Sequence, residues 1–244
     1  MNSFDLAILV VLFFITSVVG VVTGSNSLIT VPVMFQFGID EKVAVATNMF
    51  GLTFMAIGGT IPFLRQGKID ARRLSPLIMV TLFGSALGAL LVGFITNQSI
   101  KLIVSIAMIV VVVFTLVRRE PGEGRKLPML GYVVTFLLAI YGGLYSGGYV
   151  TILTASFVAF LGMNYAESVG STKLVNVFSS SIATVVFMSQ GLVNYWLGSI
   201  LAVTMFVGAF VGAHYATKLN EVWLKRIFLG TVIILAVKTL YDFL

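Results

Sequence analysis

Two short polar stretches interrupt long apolar runs: Thr23-Gly24-Ser25-Asn26-Ser27, and Gly142-Gly143-Leu144-Tyr145-Ser146-Gly147-Gly148 with Thr151 one turn further on. Hydroxyls, amides and glycine-bared backbone N–H groups are hydrogen-bond donors without fixed charge. A helix starting at such a stretch adds about half a positive charge from its macrodipole. Ser25, Asn26 and Ser27 could cap a helix running through Pro32 to Phe37, and Ser146, Gly147, Gly148 and Thr151 could do the same in the second stretch. The chemistry on offer is reversible binding of an anion, which must enter and also leave. The competing reading is close helix packing through small residues, which suits the pairs Gly84/Gly88 and Gly208/Gly212 better than it suits these stretches.

Further donors follow each stretch. Thr47-Asn48 and Thr172-Lys173 sit early in the next apolar segment, at matching positions. Their hydroxyl, amide and ammonium groups could serve an anion, or the Thr and Asn side chains could bond nearby backbone. Lys173 is the one basic residue well inside an apolar segment. A helix starting near Ala166 puts it roughly 10 Å deep, where a lysine costs about 2.5–3.5 kcal/mol. It is expected either to face the anion as the site's fixed positive charge, with neutral Asn48 as its counterpart, or to snorkel to the headgroups. Gln66, Gln190 and the single histidine, His214, lie near segment ends, where a structural role is expected.

These residues need positioning elements, and composition names their solvent. Of 244 residues, 59% are hydrophobic and 10% charged, with a mean hydropathy of +1.08; a soluble domain carries about 25% charged residues. Charge-free stretches run from Leu6 to Ile39, Val43 to Leu64, Leu74 to Ile100, Leu127 to Ala166 and Leu174 to Thr217. Since a helical span takes about 20 apolar residues, the chain is integral to a membrane. The first apolar run lacks a basic n-region and outruns an h-region, so no cleavable signal is expected. The absence of cysteine excludes disulfides and thiolate metal sites. The net charge of +6 sits in short loops beside spans, where it sets orientation and meets lipid headgroups, so no nucleic-acid partner is inferred.

The sequence repeats itself. At an offset of 124, Gln66-Gly67 meets Gln190-Gly191, Ser75 meets Ser199, Gly84, Gly88 and Ala89 meet Gly208, Gly212 and Ala213, and Lys101 meets Lys225. Upstream the offset drops by one, so Gly20 meets Gly143 and Gly24 meets Gly147. Duplication of this kind is characteristic of secondary transporters. A first repeat is assigned to 1–117 and a second to 129–244, joined by a polar loop at 118–128.

Each repeat opens with an apolar run too long for one span: 34 residues from Leu6, and 40 from Leu127. A backbone break inside a membrane is tolerable only within protein or against a watery cavity, so a broken or re-entrant helix is expected in both. The remaining spans are expected at 43–63, 74–96 and 100–117, then 166–189, 194–216 and 222–243. The fold class is therefore an all-α polytopic bundle of about 8 spans, or up to about 10 if the broken helices cross twice. With Lys173 set aside, simple crossings divide Lys and Arg nine to five between the faces. Returning or doubly crossing runs invert the repeats and divide them eleven to three, which the positive-inside bias prefers.

On Gly20-Val-Val-Thr-Gly24-Ser-Asn-Ser with Val31-Pro32, on Ala44-Val-Ala-Thr47-Asn48, on Gly142-Gly143-Leu-Tyr-Ser-Gly147-Gly148 and on Val169-Gly-Ser-Thr172-Lys173, the whole chain resembles the sulfite exporter TauE/SafE family of bacterial membrane permeases. Gln66-Gly67 and Gln190-Gly191 belong to the same pattern. The first copy departs from it, with Gly24-Ser25-Asn26 where the family has a denser glycine run. The resemblance implies transport, often outward, of small oxyanions such as sulfite, thiosulfate or organosulfonates, in a multi-pass protein of the bacterial inner membrane. The anion and the bilayer are the expected partners, no cofactor or metal is expected, and the resemblance leaves a homodimer open.

Asp40, Glu41 and Glu167 fall at segment edges, so no carboxylate proton relay is expected at depth. An inside-negative potential contributes about 2.3 kcal/mol per charge per 100 mV toward anion export, which favours efflux. Two other classes are weighed. A membrane-embedded enzyme acting on a lipid or phosphate needs an acid–base cluster at depth, and a cation or metal permease needs carboxylates, thiolates or several histidines along the path. The segments carry neither.

Overall fold

A computed structural model describes residues 2–24, 26–65, 71–117 and 127–215, and in the C-terminal segment 230, 232–235, 237–239 and 241. Ser25, the Gln66-Gly67 pair, the 118–126 loop and most of the expected last span lie outside the described residues. Nine helices are defined among those described: α1 (Ser3–Thr23), α2 (Ser27–Gln36), α3 (Glu41–Arg65), α4 (Ala71–Phe94), α5 (Asn97–Val117), α6 (Pro128–Leu144), α7 (Tyr149–Leu161), α8 (Tyr165–Ser189) and α9 (Tyr195–Tyr215). Six of them (α1, α3, α4, α5, α8 and α9) contain stretches long and apolar enough to cross a bilayer; α2, α6 and α7 are shorter. The architecture is an all-α polytopic membrane bundle.

Local signals account for the helix ends. Asn2 and Asp5 form a reciprocal capping box at the start of α1, Pro128 opens α6, and Asn164 caps α8 through the Glu167 N–H at 2.9 Å. Gly24, at φ +77°, closes α1 in the left-handed region, where a side chain is strained. The outer surface carries Phe83, Phe94, Ile106, Val110 and Val113 exposed, which suits lipid rather than water.

The direction of each helix follows from its contacts. Asn194 N–H donates to Thr47 Oγ1 at 3.0 Å, Thr53 and Thr184 share a hydroxyl contact at 3.0 Å, and Lys173 lies over the Phe63 ring. Numbers rise on α3 as they fall on α8, so the two are antiparallel. On α9, Gly208 packs at Phe14 O and Gly212 at Val18 O of α1; on α4, Gly84 packs at Phe136 O and Gly88 at Ile140 O of α6. Both pairs are therefore parallel. A Cβ at Gly88 would sit 1.9 Å from Ile140 O, and one at Gly212 2.4 Å from Val18 O. These glycines let backbones touch, as close helix packing in a membrane requires.

Two faces are distinguished by charge. Arg73 meets Glu167 at 2.8 Å on one face; on the other, Lys101 meets Glu41 at 2.9 Å and Lys42 Nζ donates to Gly93 O at 3.2 Å. From the Lys42 face, α1 runs inward, parallel to α3, and α2 returns to Asp40. From the Arg73 face, α6 runs inward and α7 returns. Gly142 touches Tyr149, Gly131 touches Leu161, and Leu127 N–H bonds Phe160 O at 2.9 Å. The opening runs are thus hairpins rather than double crossings. The principal packings are α3 on α9, α4 on α8, α1 on α9 and α4 on α6, with α3 against α8. Elements of the two sequence halves share one core. The pattern maps onto itself when α1, α3 and α4 are exchanged with α6, α8 and α9.

Candidate functional site

The two hairpin tips meet inside the bundle. Ser27 Oγ lies 2.7 Å from Ser146 Oγ, and both residues are buried. Asn48 Nδ2 donates to Ser27 Oγ at 2.9 Å, and Thr30 Oγ1 donates to Asn48 Oδ1 at 2.7 Å. The second half holds a related pair, Thr154 and Thr172, at 2.9 Å. Thr151 Oγ1 donates to Thr23 O at 2.8 Å, across the two tips. Gly24 is needed there, since a Cβ would lie 3.1 Å from Thr151 Oγ1 at a positive φ. Gly148, also at positive φ, packs against Val111, and Gly147 lies under the Tyr145 ring.

The side chains expected to cap α2 and α7 do not do so. Asn26 holds the capping position of α2 with helical dihedrals and makes no capping bond. Its carbonyl accepts the Ile29 and Thr30 N–H groups instead. Gly148 holds that position on α7, where Tyr149 N–H bonds Ser146 O. The Asn26 amide, making no such bond, is buried at the tip. Neither its Oδ1 nor its Nδ2 has a partner among the described residues, although Asn26 is only 3% exposed.

Asn26 lines a cavity of about 40 Å3 together with Ser27, Ser146, Asn176 and Lys173, with Leu52, Met55 and Val150 as apolar lining. A water needs about 10–15 Å3, so the volume holds about three waters or one small ion. Asn176 Oδ1 is likewise buried without a partner among the described residues. A neighbouring cavity of about 50 Å3 shares Val21, Gly24, Val150 and Lys173 and continues past Thr23, Thr151 and Thr154 to exposed Tyr165. Tyr165, two residues before Glu167, places this second cavity on the Arg73 side of the site. No carboxylate lines either cavity. Among the described residues no group of His, Cys, Asp and Glu could hold a metal.

Lys173 stands between the two cavities. It is 9% exposed, and it does not snorkel: Nζ donates to Val21 O in the last turn of α1 and lies 5.3 Å from the Phe63 ring centroid. A cation at a helix C-terminus meets the negative end of the macrodipole, and the ring adds a cation–π term. An ammonium has three donors, which leaves two for a ligand. The expected pairing of Lys173 with Asn48 is corrected by the hydrogen bonds. Thr30–Asn48 and Thr154–Thr172 are equivalent at the offset of 124, so Asn48 corresponds to Thr172, and Lys173 falls opposite Met49.

Of the other residues singled out, Thr47 binds the backbone of Asn194 at the Lys42 face, outside the cavity lining. Gln190 Nε2 bonds Leu90 O at 3.3 Å, and His214 stacks edge-on with Tyr215; both are away from the tips. Asn176, Tyr141 and Tyr145 were not read from sequence. Asn176 lies three residues beyond Lys173, on the same helix face, and that spacing was a usable signal. Tyr145 Oη donates to Ser27 O at 2.9 Å, and Tyr141 Oη donates to Gly147 O.

Re-entrant hairpins meeting at a small polar cavity inside an apolar bundle define the class as a polytopic membrane transporter. Its membership is narrower: the chain belongs to the sulfite exporter TauE/SafE family, whose model matches residues 8–239. It is 26% identical over 243 residues to the probable membrane transporter protein ORF9 of Sinorhizobium sp, covering 97% of this chain and 93% of that one. It is 26% identical over 240 residues to the probable membrane transporter protein YfcA of Escherichia coli K12, covering 95% and 89%. It is 23% identical over 242 residues to a probable membrane transporter protein of Haemophilus influenzae, covering 97% and 95%. No solved structure matches the chain.

Proposed function

We propose that this transporter carries a small sulfur oxyanion, such as sulfite, thiosulfate or an organosulfonate, bound in the cavity where the two hairpin tips meet. The observation that carries the reading is the buried, unpartnered amide of Asn26, a residue that lines the same cavity as Lys173. An unpaired buried amide costs about 1–3 kcal/mol, a cost that a bound oxyanion removes by accepting the amide N–H. Ser27, Ser146 and the two remaining Lys173 donors supply further bonds. One ammonium without a carboxylate beside it suits one monovalent or partly neutralised anion, and it suits neither a metal ion nor acid–base catalysis on a lipid.

The hairpins enter from opposite faces, which is the arrangement expected of inverted repeats 1–117 and 129–244. The positive-inside bias would then orient Arg65, Arg72 and Arg73 to the cytoplasm of a bacterial inner membrane. The second cavity lies on that side, which supports loading of the anion from the cytoplasm and its movement outward with the membrane potential.

Thermal unfolding of the detergent-purified protein tests the binding step. Sulfite, thiosulfate or sulfoacetate should raise the midpoint in a saturable, concentration-dependent way, and sulfate serves as the comparison. A midpoint indifferent to all four at millimolar concentration would remove the anion site.

A further inference from the structure

Three backbone carbonyls at the first hairpin tip belong to residues lining the cavities, and each is occupied by a donor from the other half of the chain. Val21 O accepts from Lys173 Nζ, Thr23 O from Thr151 Oγ1 at 2.8 Å, and Ser27 O from Tyr145 Oη at 2.9 Å. The second tip is treated alike, with Gly147 O accepting from Tyr141 Oη. The two tyrosine rings stand edge to face, with centroids 6.3 Å apart. A break in a membrane helix bares the carbonyls of its last turn, here those of Val21 and Thr23 in α1, whereas Ser27 O belongs to the first turn of α2 and is an acceptor of its helix ladder. In broken-helix transporters bared carbonyls coordinate sodium or protons. Uncovered carbonyls beside the Asn26 cavity would present negative dipoles to the ligand.

We propose that Thr151 and Tyr145 bias the sign of the ion this site accepts, Thr151 by covering the bared carbonyl of Thr23 and Tyr145 by taking the free lone pair of Ser27 O, so that no main-chain oxygen is added to the unpartnered Oδ1 atoms of Asn26 and Asn176 in the cavity wall. They are positioning residues rather than ligands. Tyr145 is 1% exposed and stands behind the cavity wall, and the Thr151 hydroxyl is turned to Thr23 O. Each hydroxyl occupies a lone pair and lays a positive hydrogen against the oxygen, which lowers the local attraction for a cation and the repulsion of an anion. The inference rests on the anion-carrier reading above, and it adds that the first tip holds no coupling cation while these hydroxyls are present.

The test uses the purified full-length chain with Tyr145→Phe and Thr151→Val, singly and together, and Thr151→Ser as the hydroxyl-retaining control. Phe and Val keep ring and volume; Thr151→Val uncovers Thr23 O and Tyr145→Phe frees one lone pair of Ser27 O, so the result does not hinge on the double variant folding. Binding is read as thermal stabilisation by N-methylglucamine sulfite for the anion and by sodium gluconate for the cation, at constant ionic strength. Loss of one hydroxyl's bond changes affinity roughly three- to tenfold. The sulfite affinity of the variants should fall by that factor, sodium should stabilise them but not the parent, and Thr151→Ser should behave as the parent. Variants that show no sodium response overturn the inference, whether sulfite affinity falls or holds, because a merely structural hydroxyl gives that result. A parent that ignores sulfite refutes the anion-carrier reading instead, and the sodium arm still decides the role of the hydroxyls.

Discussion

The hydroxyls of Ser27 and Ser146 lie 2.7 Å apart, although 119 residues separate them in sequence. The first residue of α2 thus touches the turn before α7, where two hairpins from opposite faces end. A neutral hydrogen bond contributes about 1 kcal/mol net, too little to hold two hairpins together. What fixes the tips is the backbone contact of α9 with α1 at Gly208 and Gly212, and of α4 with α6 at Gly84 and Gly88. The tips are placed by packing and left free to bind.

The unpartnered Asn26 amide separates stability from binding. Asn26→Leu removes no hydrogen bond, because the side chain makes none among the described residues, and it keeps the same branched heavy-atom skeleton. Thermal stability of the ligand-free protein should be unchanged or raised, by up to about 1–3 kcal/mol, while stabilisation by sulfite disappears. A destabilised variant that still responds to sulfite would mean that the amide serves the fold.

The close glycines should be unforgiving in proportion to their contacts. Gly88→Ala and Gly212→Ala drive a methyl into a carbonyl at 1.9 and 2.4 Å and should cost at least about 1–3 kcal/mol, as overpacking does. Gly198→Ala meets the Phe50 ring at 3.2 Å, which can yield, and should be milder. Midpoints of detergent unfolding rank the three variants; equal midpoints would refute the contact-based order.

Sidedness tests the inverted arrangement. Arg72, near the Arg73–Glu167 pair, and Asn194, bonded to Thr47, lie at corresponding connections of the two halves, on opposite faces. Single cysteines there, in a chain that otherwise has none, should react with a membrane-impermeant maleimide from opposite sides of the membrane. Reaction from one side only would exclude inversion.

Much of this arrangement could be read before the structure. The breaks were legible because 34 and 40 apolar residues exceed one span and polar residues interrupt both runs. The pairs Gly84/Gly88 and Gly208/Gly212 were legible because residues four apart share a helix face. The partner of Lys173 was not legible. Val21 O becomes an acceptor only because α1 ends at Gly24 and α8 passes beside it, a tertiary fact with no local signal. Tyr141 and Tyr145 read as ordinary aromatics of an apolar run, since their targets are main-chain oxygens. The match of Asn48 to Thr172 rather than Lys173 depended on an offset that changes by one between segments, and only the bonds to Thr30 and Thr154 fix it.

Movement of the anion itself, dependent on Lys173, is the most direct measurement. Proteoliposomes loaded with sulfite are given an inside-negative potential with potassium and valinomycin, and sulfite release is followed in the parent, Lys173→Arg and Lys173→Gln. About 100 mV is worth about 2.3 kcal/mol for a monovalent anion, so release from the parent should accelerate with the potential. Lys173→Arg should keep part of the rate, and Lys173→Gln should lose it while remaining folded. Release by Lys173→Gln at the parental rate, or no protein-dependent release by the parent, would contradict anion transport through the meeting point of the two hairpins.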